Sequence, residues 1–258
     1  MRRHRIVLLI LFSLCCVSLL LNFFLFSRAK QYYLELNRGR LDPLGFESHP
    51  IPESAGAVSF DGITVAFVGD SRAAAWSAPS MPADFRFTND GVDAQTSAQV
   101  RYRFEQDGGR LRPDAVILQV GINDLKTIPL FPDQEAAIVE RTKNNISEIV
   151  ARARELDMTV ILTTVFPAGE ISLGRQLFWS PQVDAAIEDV NVYIRSLEAP
   201  GILVFDAYEL LIGRPDRYDL YVDELHLNSA GYEVLNKHLV SVLTDLSISS
   251  HEATTPSP

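Results

Sequence analysis

A serine, a histidine and an aspartate occupy positions from which they could form a nucleophilic centre. Ser71 follows the apolar run 63–68 after a glycine and an acid, and His226 stands three residues after Asp223. A serine hydroxyl is a poor nucleophile until a general base takes its proton, and a carboxylate on the second imidazole nitrogen fixes the tautomer of that base. These residue types therefore indicate acyl transfer, provided that the fold brings them together. Taken alone, Asp223 and His226 are also explained as a solvated helix start capped by Asp223 or Asn228.

Two further segments could donate hydrogen bonds to an oxyanion. Asn123 follows the apolar run 115–120, and Gly121 allows the tight turn that would aim its side-chain amide at the reacting oxygen. Ordinary turn chemistry explains this asparagine equally well. Segment 89–96 precedes a predicted helix, whose first backbone amides are natural anion donors, although by itself the segment is typical of a loop.

Strand-like and helical patterns alternate along the chain. The apolar runs typical of strands are 63–68, 85–88, 115–120, 159–165 and 202–205. Apolar residues recur every three or four residues, the spacing typical of helices, in 97–105, 134–156, 183–197 and 229–246. This alternation predicts an α/β fold, a flavodoxin-like three-layer α/β/α sandwich with about five parallel strands. Ligands of such sheets bind beyond the carboxyl ends of the strands, where Ser71 and Asn123 are expected.

Four segments, in this order, resemble the motif blocks of the SGNH hydrolase superfamily of GDSL-type esterases and lipases. They are Gly69-Asp70-Ser71, the segment 89–96, Gly121-Ile122-Asn123-Asp124 and Asp223-Glu224-Leu225-His226. The resemblance spans 63 to about 246, nearly the whole predicted soluble domain. Each block alone is weak evidence, but four blocks in family order, each at a strand end or before a helix, form a specific signature.

The resemblance implies a role for each matching residue. Ser71 is the expected nucleophile, His226 the general base and later acid, and Asp223 the residue that orients His226. The side chain of Asn123 and the backbone amides of Ser71 and Ala94 are the expected oxyanion hole. Gly91, Gly121 and Asp70 are expected as supporting or alternate residues.

Two positions depart from the family pattern. Arg72 stands where a leucine usually follows the nucleophile, and Ala94 stands where a glycine commonly donates its amide. We expect Arg72 to pair with an acid such as Asp70 or Asp124, rather than with an anionic group of a substrate. Ala94 can still donate, with a narrower pocket, and Gly91 is a turn former or an alternate donor.

The resemblance implies a serine esterase, with short-acyl esters of carbohydrates or other envelope molecules as the favoured substrates. The alternatives are a lysophospholipase or lipase, an acetyltransferase that uses the same acyl-enzyme, and a noncatalytic module that binds glycans. Arg72, Trp76, Phe178 and Trp179 are candidate substrate-binding residues. Core packing or a membrane-facing patch explains the three aromatic residues equally well.

Composition excludes several function classes. The 258 residues carry a net charge of −10 and no basic stripe beyond the N-terminal end, which argues against a nucleic-acid partner. The only cysteines are the adjacent Cys15 and Cys16, and the five histidines form no cluster at metal-ligand spacing. We therefore expect neither a metal nor a cofactor, and the partner is a small-molecule, glycan or lipid ester. The sequence does not determine an oligomeric state.

The N-terminal segment predicts contact with a membrane. Three arginines precede a run of 21 uncharged residues, Ile6 to Phe26, which is long enough to span a bilayer and longer than most cleavable signals. We expect residues 1–30 to be an uncleaved anchor with the catalytic domain outside the cytoplasm. The positive charges that flank the apolar run modestly favour an N-terminus on the cytoplasmic side. The alternative is secretion after cleavage near 27–29. The remaining predicted units are a stalk (31–57), the hydrolase domain (58–246) and a disordered tail (247–258).

Overall fold

The computed structural model describes residues 2–45, 60–176 and 179–254. The chain divides into two compact units, Met1–Pro50 and Ile51–Pro258. The first contains a single long helix, α1 (Arg2–Leu41), which is long and apolar enough to cross a membrane and whose apolar side chains are exposed. The predicted irregular stalk was wrong for residues 31–41, because the helix continues through them. Most of the remaining stalk, 46–57, lies outside the described residues.

A five-stranded parallel sheet forms the centre of the second unit. Its strands are β1 (Ile63–Gly69), β2 (Phe85–Gly91), β3 (Ala115–Gln119), β4 (Thr159–Thr163) and β5 (Ile202–Phe205). Their order is β2-β1-β3-β4-β5 with every pair parallel, which is the flavodoxin-like order. The predicted parallel sheet is confirmed.

Helices cover both faces of this sheet. Four are long, α3 (Ser97–Leu111), α5 (Glu135–Glu155), α6 (Pro181–Ser196) and α8 (Ser229–Thr254), and three are short, α2 (Ser71–Ala74), α4 (Ile122–Leu125) and α7 (Ala207–Ile212). Alternate residues of each strand point to opposite faces, so Val116 and Leu118 join a core with α3, α5 and α6 while Ile117 joins one with α7 and α8. The predicted three layers are confirmed.

Several boundaries differ from the sequence prediction. Strand β2 continues to Gly91, so the first residues of segment 89–96 are in a strand rather than in a loop. Helix α8 continues through 247–254, where a disordered tail was predicted, and residues 255–258 lie outside the described part of the chain. Helices α2 and α4 begin directly beyond β1 and β3, at the edge of the sheet where the candidate site lies.

Candidate active site

The structure brings Ser71, His226 and Asp223 into one hydrogen-bonded chain. Ser71 Oγ lies 2.9 Å from His226 Nε2, and His226 Nδ1 lies 2.8 Å from Asp223 Oδ2. In this arrangement one imidazole nitrogen can take the serine proton while the carboxylate holds the other nitrogen as its N–H form. A serine so placed is competent for nucleophilic attack on an ester carbonyl.

The Asp223 carboxylate also organises its own loop. Its Oδ1 accepts hydrogen bonds from the backbone amides of Leu225 and His226, both at 2.8 Å. Partial burial acts to raise the pKa of Asp223, but the hydrogen bonds from the His226 ring and the two amides outweigh it and lower the pKa. Asp223 is therefore ionised at neutral pH, as the partner of an imidazolium must be.

The backbone around Ser71 is formed by a sharp strand-to-helix turn. Gly69 has φ +153°, and a Cβ at this position would lie 1.8 Å from the carbonyl oxygen of Gln119, so only glycine fits between β1 and β3. Asp70 then caps α2, since its Oδ1 accepts from the amide of Arg72 at 2.9 Å. Burial raises the pKa of Asp70 to about 6, against the opposing charge and amide of Arg72. The Asp70 side chain bonds the amide of Arg72 rather than Ser71, His226 or Asp223, and it acts as a helix cap.

The candidate oxyanion donors Ala94 and Asn123 line the same cavity as Ser71. Ala94 adopts a left-handed φ of +61°, and Asn123 is buried with one Nδ2 hydrogen donated to the carbonyl of Gln95 at 2.9 Å. An amide nitrogen carries two hydrogens, so the second stays available to a substrate oxygen. Gly121 adopts the positive φ of +121° that the sequence predicted for a tight turn.

Gly91 is not suited to the alternate donor role. Its amide donates to Asn89 Oδ1 at 2.9 Å, and a Cβ at this position would lie 2.1 Å from the backbone nitrogen of Ala74. Asn89 in turn donates from Nδ2 to the carbonyl of Ala73. Gly91 and Asn89 therefore hold the end of β2 against α2, and their role is close packing.

A cavity of about 460 Å³ opens over this arrangement. Its lining includes Ser71, Asn123, Ala94 and His226, so the predicted residues share one space. Sequence reasoning missed Lys126, a half-buried residue of the lining whose pKa is lowered by burial. The signal was present, because Lys126 lies three residues after Asn123, which places both on one side of a helical turn.

A second, larger cavity adjoins the first. It measures about 850 Å³, and it shares Ala75, Val222 and Leu227 with the cavity over Ser71. The rest of its lining is rich in hydroxyl, amide and charged side chains, among them Ser77, Ser80, Asn228, Glu233 and Lys237. The space beside the nucleophile thus continues into a groove of mixed apolar and polar lining between the segment after α2 and the start of α8.

The side chain of Arg72 makes neither of the interactions considered from the sequence, an ion pair with an acid or contact with a substrate. It is fully buried, and its side chain donates to two backbone carbonyls, from Nε to Leu225 at 2.8 Å and from Nη1 to Phe166 at 3.0 Å. No ion pair joins it to Asp70 or Asp124 within the described ranges, and it is not part of either cavity lining. The geometry therefore gives Arg72 bonds to backbone carbonyls in place of the predicted ion pair, and its complete burial does not favour contact with a substrate.

The aromatic candidates for substrate binding also lie elsewhere. Trp76 is 1% exposed, and its ring packs against Phe67, Phe166 and Tyr232 in the core on the α8 face. Trp179 is half-buried against the core on the opposite face. Neither lines the two cavities, and Phe178 lies outside the described residues. Core packing, the alternative reading, explains the two tryptophans.

Comparison with solved structures shows a shared fold. A GDSL-like lipase from Bacteroides thetaiotaomicron is 20% identical and aligns over 75% of this chain and 95% of its own, with a TM-score of 0.55. The acetyl xylan esterase AlAXEase is 20% identical over 70% and 99%, with a TM-score of 0.56. A catalytic mutant of an acetylxylan esterase from Geobacillus stearothermophilus is 18% identical over 71% and 94%, with a TM-score of 0.53. A comparison with curated proteins finds no match.

Comparison with protein families identifies the second unit. The model of the GDSL-like lipase/acylhydrolase family matches residues 61–234, which is more than half of the chain. This range includes Ser71, Asn123, Asp223 and His226, the four polar residues gathered at the edge of the sheet. No group of three or more histidine, cysteine, aspartate or glutamate side chains in the described residues could hold a metal. The chain belongs to the GDSL-like lipase/acylhydrolase family and is a hydrolase that acts on esters.

Proposed function

We propose that the protein is a serine esterase that removes short acyl groups, acetyl above all, from carbohydrate through an acyl-enzyme. The observation that carries the proposal is the hydrogen-bonded chain from Ser71 through His226 to Asp223, with distances of 2.9 and 2.8 Å. These distances lie within the reach that proton transfer requires.

The proposed reaction has two balanced halves. Ser71 Oγ attacks the ester carbonyl carbon while His226 Nε2 takes the hydroxyl proton, and the tetrahedral intermediate then breaks its bond to the alcohol oxygen, which receives that proton. Water enters, gives a proton to His226 and attacks the acyl-enzyme, and release of the carboxylic acid returns the proton to Ser71. Asp223 stays ionised throughout and stabilises the imidazolium.

Negative charge develops on the carbonyl oxygen in both halves. The proposed donors to it are the free Nδ2 hydrogen of Asn123 and the backbone amides of Ser71 and Ala94. Asn123 is buried, and a preorganised donor in a site that excludes water stabilises such charge more than the same donor would in bulk water.

The shape of the two cavities supports a small acyl group and a large polar alcohol. The cavity over Ser71 is the smaller, at about 460 Å³, and Ala94 is part of its lining. The adjoining groove of about 850 Å³ presents Ser77, Ser80, Glu233 and Lys237, side chains that can bond sugar hydroxyls. We assign the acyl group to the first space and the carbohydrate to the second.

Steady-state hydrolysis by the full-length protein in detergent tests this proposal. The substrates are 4-nitrophenyl acetate, butanoate and octanoate and an acetylated xylo-oligosaccharide, and acyl-enzyme is sought as a burst of nitrophenol. We expect acetyl esters to give the highest kcat/KM, and Ser71→Ala to lower kcat by at least about 10⁴-fold. Ser196→Ala, at an exposed serine of α6 outside both cavities, should match wild type.

Each other result would favour a different function or overturn the mechanism. Preference for octanoate would favour a lipase, and acyl transfer to an added sugar in preference to water would favour an acetyltransferase. Equal rates for wild type and Ser71→Ala would overturn the serine mechanism, and no hydrolysis with intact glycan binding would favour a noncatalytic module.

We further propose that α1 anchors the protein in a membrane and that the catalytic unit lies outside the cytoplasm. The support is the length and apolar character of α1 and the uncharged run Ile6 to Phe26. We expect full-length protein to stay in the membrane pellet after an alkaline wash and to be degraded by protease added to intact cells. A shortened, soluble protein would instead indicate a cleaved signal.

A further inference from the structure

Arg72 links the nucleophile turn to the loop that carries His226. It directly follows Ser71 in the chain, yet its guanidinium is buried beneath the site and lies 5.2 Å from the centre of the Phe166 ring. Its Nε donates to the carbonyl of Leu225 at 2.8 Å. That carbonyl belongs to the peptide that joins Leu225 to His226.

The peptide between Leu225 and His226 is held at both ends. Its oxygen accepts from Arg72 Nε, and its nitrogen donates to Asp223 Oδ1, each at 2.8 Å. A planar peptide with both polar groups bonded cannot rotate without breaking one of them. Because this peptide leads directly into the α-carbon of His226, its orientation determines where the imidazole lies relative to Ser71.

Arg72 is itself held firmly enough to serve as a fixed point. Its backbone amide donates to Asp70 Oδ1 at 2.9 Å, and its backbone carbonyl accepts from the hydroxyl of Tyr232 at 2.8 Å. Its Nη1 donates to Phe166, just beyond β4. The side chain therefore extends from a turn fixed by β1 and α8 and reaches the His226 loop as a rigid connection.

The type of residue at this position also needs an explanation. Burying a guanidinium costs free energy unless its hydrogens find acceptors. Here Nε and Nη1 donate to carbonyls rather than to a carboxylate, and Nη2 has no hydrogen-bond partner among the described residues. A leucine, the residue that the family resemblance leads one to expect, would fill the core without that cost. The arginine does what leucine cannot, because it donates hydrogen bonds to two loop carbonyls at once.

We propose that Arg72 is a positioning residue that fixes His226 at proton-transfer distance from Ser71 through the carbonyl of Leu225. The inference rests on the proposed serine mechanism, in which His226 is the base. Arg72 touches no reacting atom, so its removal acts on the rate of the chemical step and leaves substrate binding largely unchanged.

Kinetics of Arg72→Leu and Arg72→Lys in the full-length protein test the inference. Arg72→Leu should lower kcat on 4-nitrophenyl acetate by about 10²-fold, the loss expected from a misplacement of about 1 Å, with KM within about threefold. Arg72→Lys keeps a donor that reaches one of the two carbonyls, so it should recover only part of that loss, with kcat about tenfold below that of wild type. Leu239→Ala, in the same buried core but away from the site, controls for general destabilisation, with all assays run where circular dichroism shows each variant folded.

A second measurement requires no substrate. The proton shared by His226 Nδ1 and Asp223 gives a low-field NMR signal that is assigned by its absence in His226→Gln. We expect this signal to broaden or vanish in Arg72→Leu and to persist in Leu239→Ala, because only the first change releases the peptide before His226.

The outcomes separate this inference from the proposed function. A folded Arg72→Leu with wild-type kcat and an intact signal overturns the role of Arg72, while inactivity of Ser71→Ala in the same assay keeps the serine mechanism. An Arg72→Lys variant no better than Arg72→Leu also overturns it, because the hydrogen bonds would not be the cause. If Arg72→Leu does not fold, Arg72→Lys alone tests the inference. A kcat of Arg72→Lys no lower than that of Leu239→Ala would then overturn the role of Arg72.

Discussion

The two halves of the candidate site are built differently. On the nucleophile side, Ser71 follows β1, which pairs with strands on both edges, and its neighbour Asp70 is completely buried. On the base side, Asp223 and His226 lie in an irregular loop before α8, and Asp223 is exposed. Strand pairing positions the serine, whereas a few individual hydrogen bonds position the histidine.

The two acids beside the site show the same contrast. Burial raises the pKa of Asp70, whereas hydrogen bonds lower the pKa of Asp223 despite its partial burial. The acid that is adjacent to Ser71 in the chain is therefore a structural cap, and the acid that is distant in the chain is the charged partner of His226. We expect changes on the base side to act on the rate and changes to Asp70 to act on stability.

The largest effect is expected from Asp223→Asn. The asparagine keeps an oxygen for the amides of Leu225 and His226 but presents no charge to the imidazole, so the wrong tautomer is favoured. We expect kcat for acetyl ester hydrolysis to fall by roughly 10³- to 10⁴-fold. Asp219→Asn, at an exposed acid in the preceding turn, is the matched control, and an equal loss in both variants would contradict the assignment of Asp223.

The next largest effect is expected from Asn123→Ala. Loss of one oxyanion donor costs about 10²- to 10³-fold in kcat, and the buried carbonyl of Gln95 would also lose its partner. Asn145→Ala removes another buried asparagine that donates to Ser97 Oγ, away from the cavity, and should lower thermal stability without that loss of kcat. Similar kcat values for the two variants would remove Asn123 from the mechanism.

A smaller effect is expected on stability from Asp70→Asn. The folded-state pKa of Asp70, about 6, lies above its ordinary value near 3.8, so its protonation stabilises the folded protein below pH 3.8 and that contribution is lost as pH rises through 6. The loss amounts to about 3 kcal/mol. Asparagine keeps the cap without the charge. The free energy of unfolding of the variant, measured in urea and compared with that of wild type, should therefore rise between pH 4 and 7. A constant difference across that range would contradict the buried charge.

The strands that carry Ser71 and Asn123 could be predicted from the sequence, whereas the long-range bonds between the two sides of the site could not. Apolar runs predicted all five strands, and the signal is strongest in β1, β3 and β4, whose residues are mostly buried on both faces. The bonds from Arg72 to Leu225 and Phe166 join positions 153 and 94 residues apart, and no local pattern encodes such pairs. The sequence left open whether Trp76 lies in the core or in a pocket, since an aromatic residue after a motif looks the same in both.

The smallest effect is expected from Ala94→Gly, which lies in the segment between β2 and α3. Ala94 adopts φ +61°, a conformation that costs an alanine about 1 kcal/mol and a glycine almost nothing. The variant should therefore unfold at the same or a slightly higher temperature, whereas Ala151→Gly, at an exposed position within helix α5, should lose about 1 kcal/mol. Removing the methyl group also widens the cavity over Ser71, so the kcat/KM for butanoate relative to acetate should rise by roughly tenfold. If the ratio stays constant while stability is kept, the Ala94 methyl group does not limit the size of the acyl group, and a preference for small acyl groups would then come from other lining residues such as Val222 or Leu227.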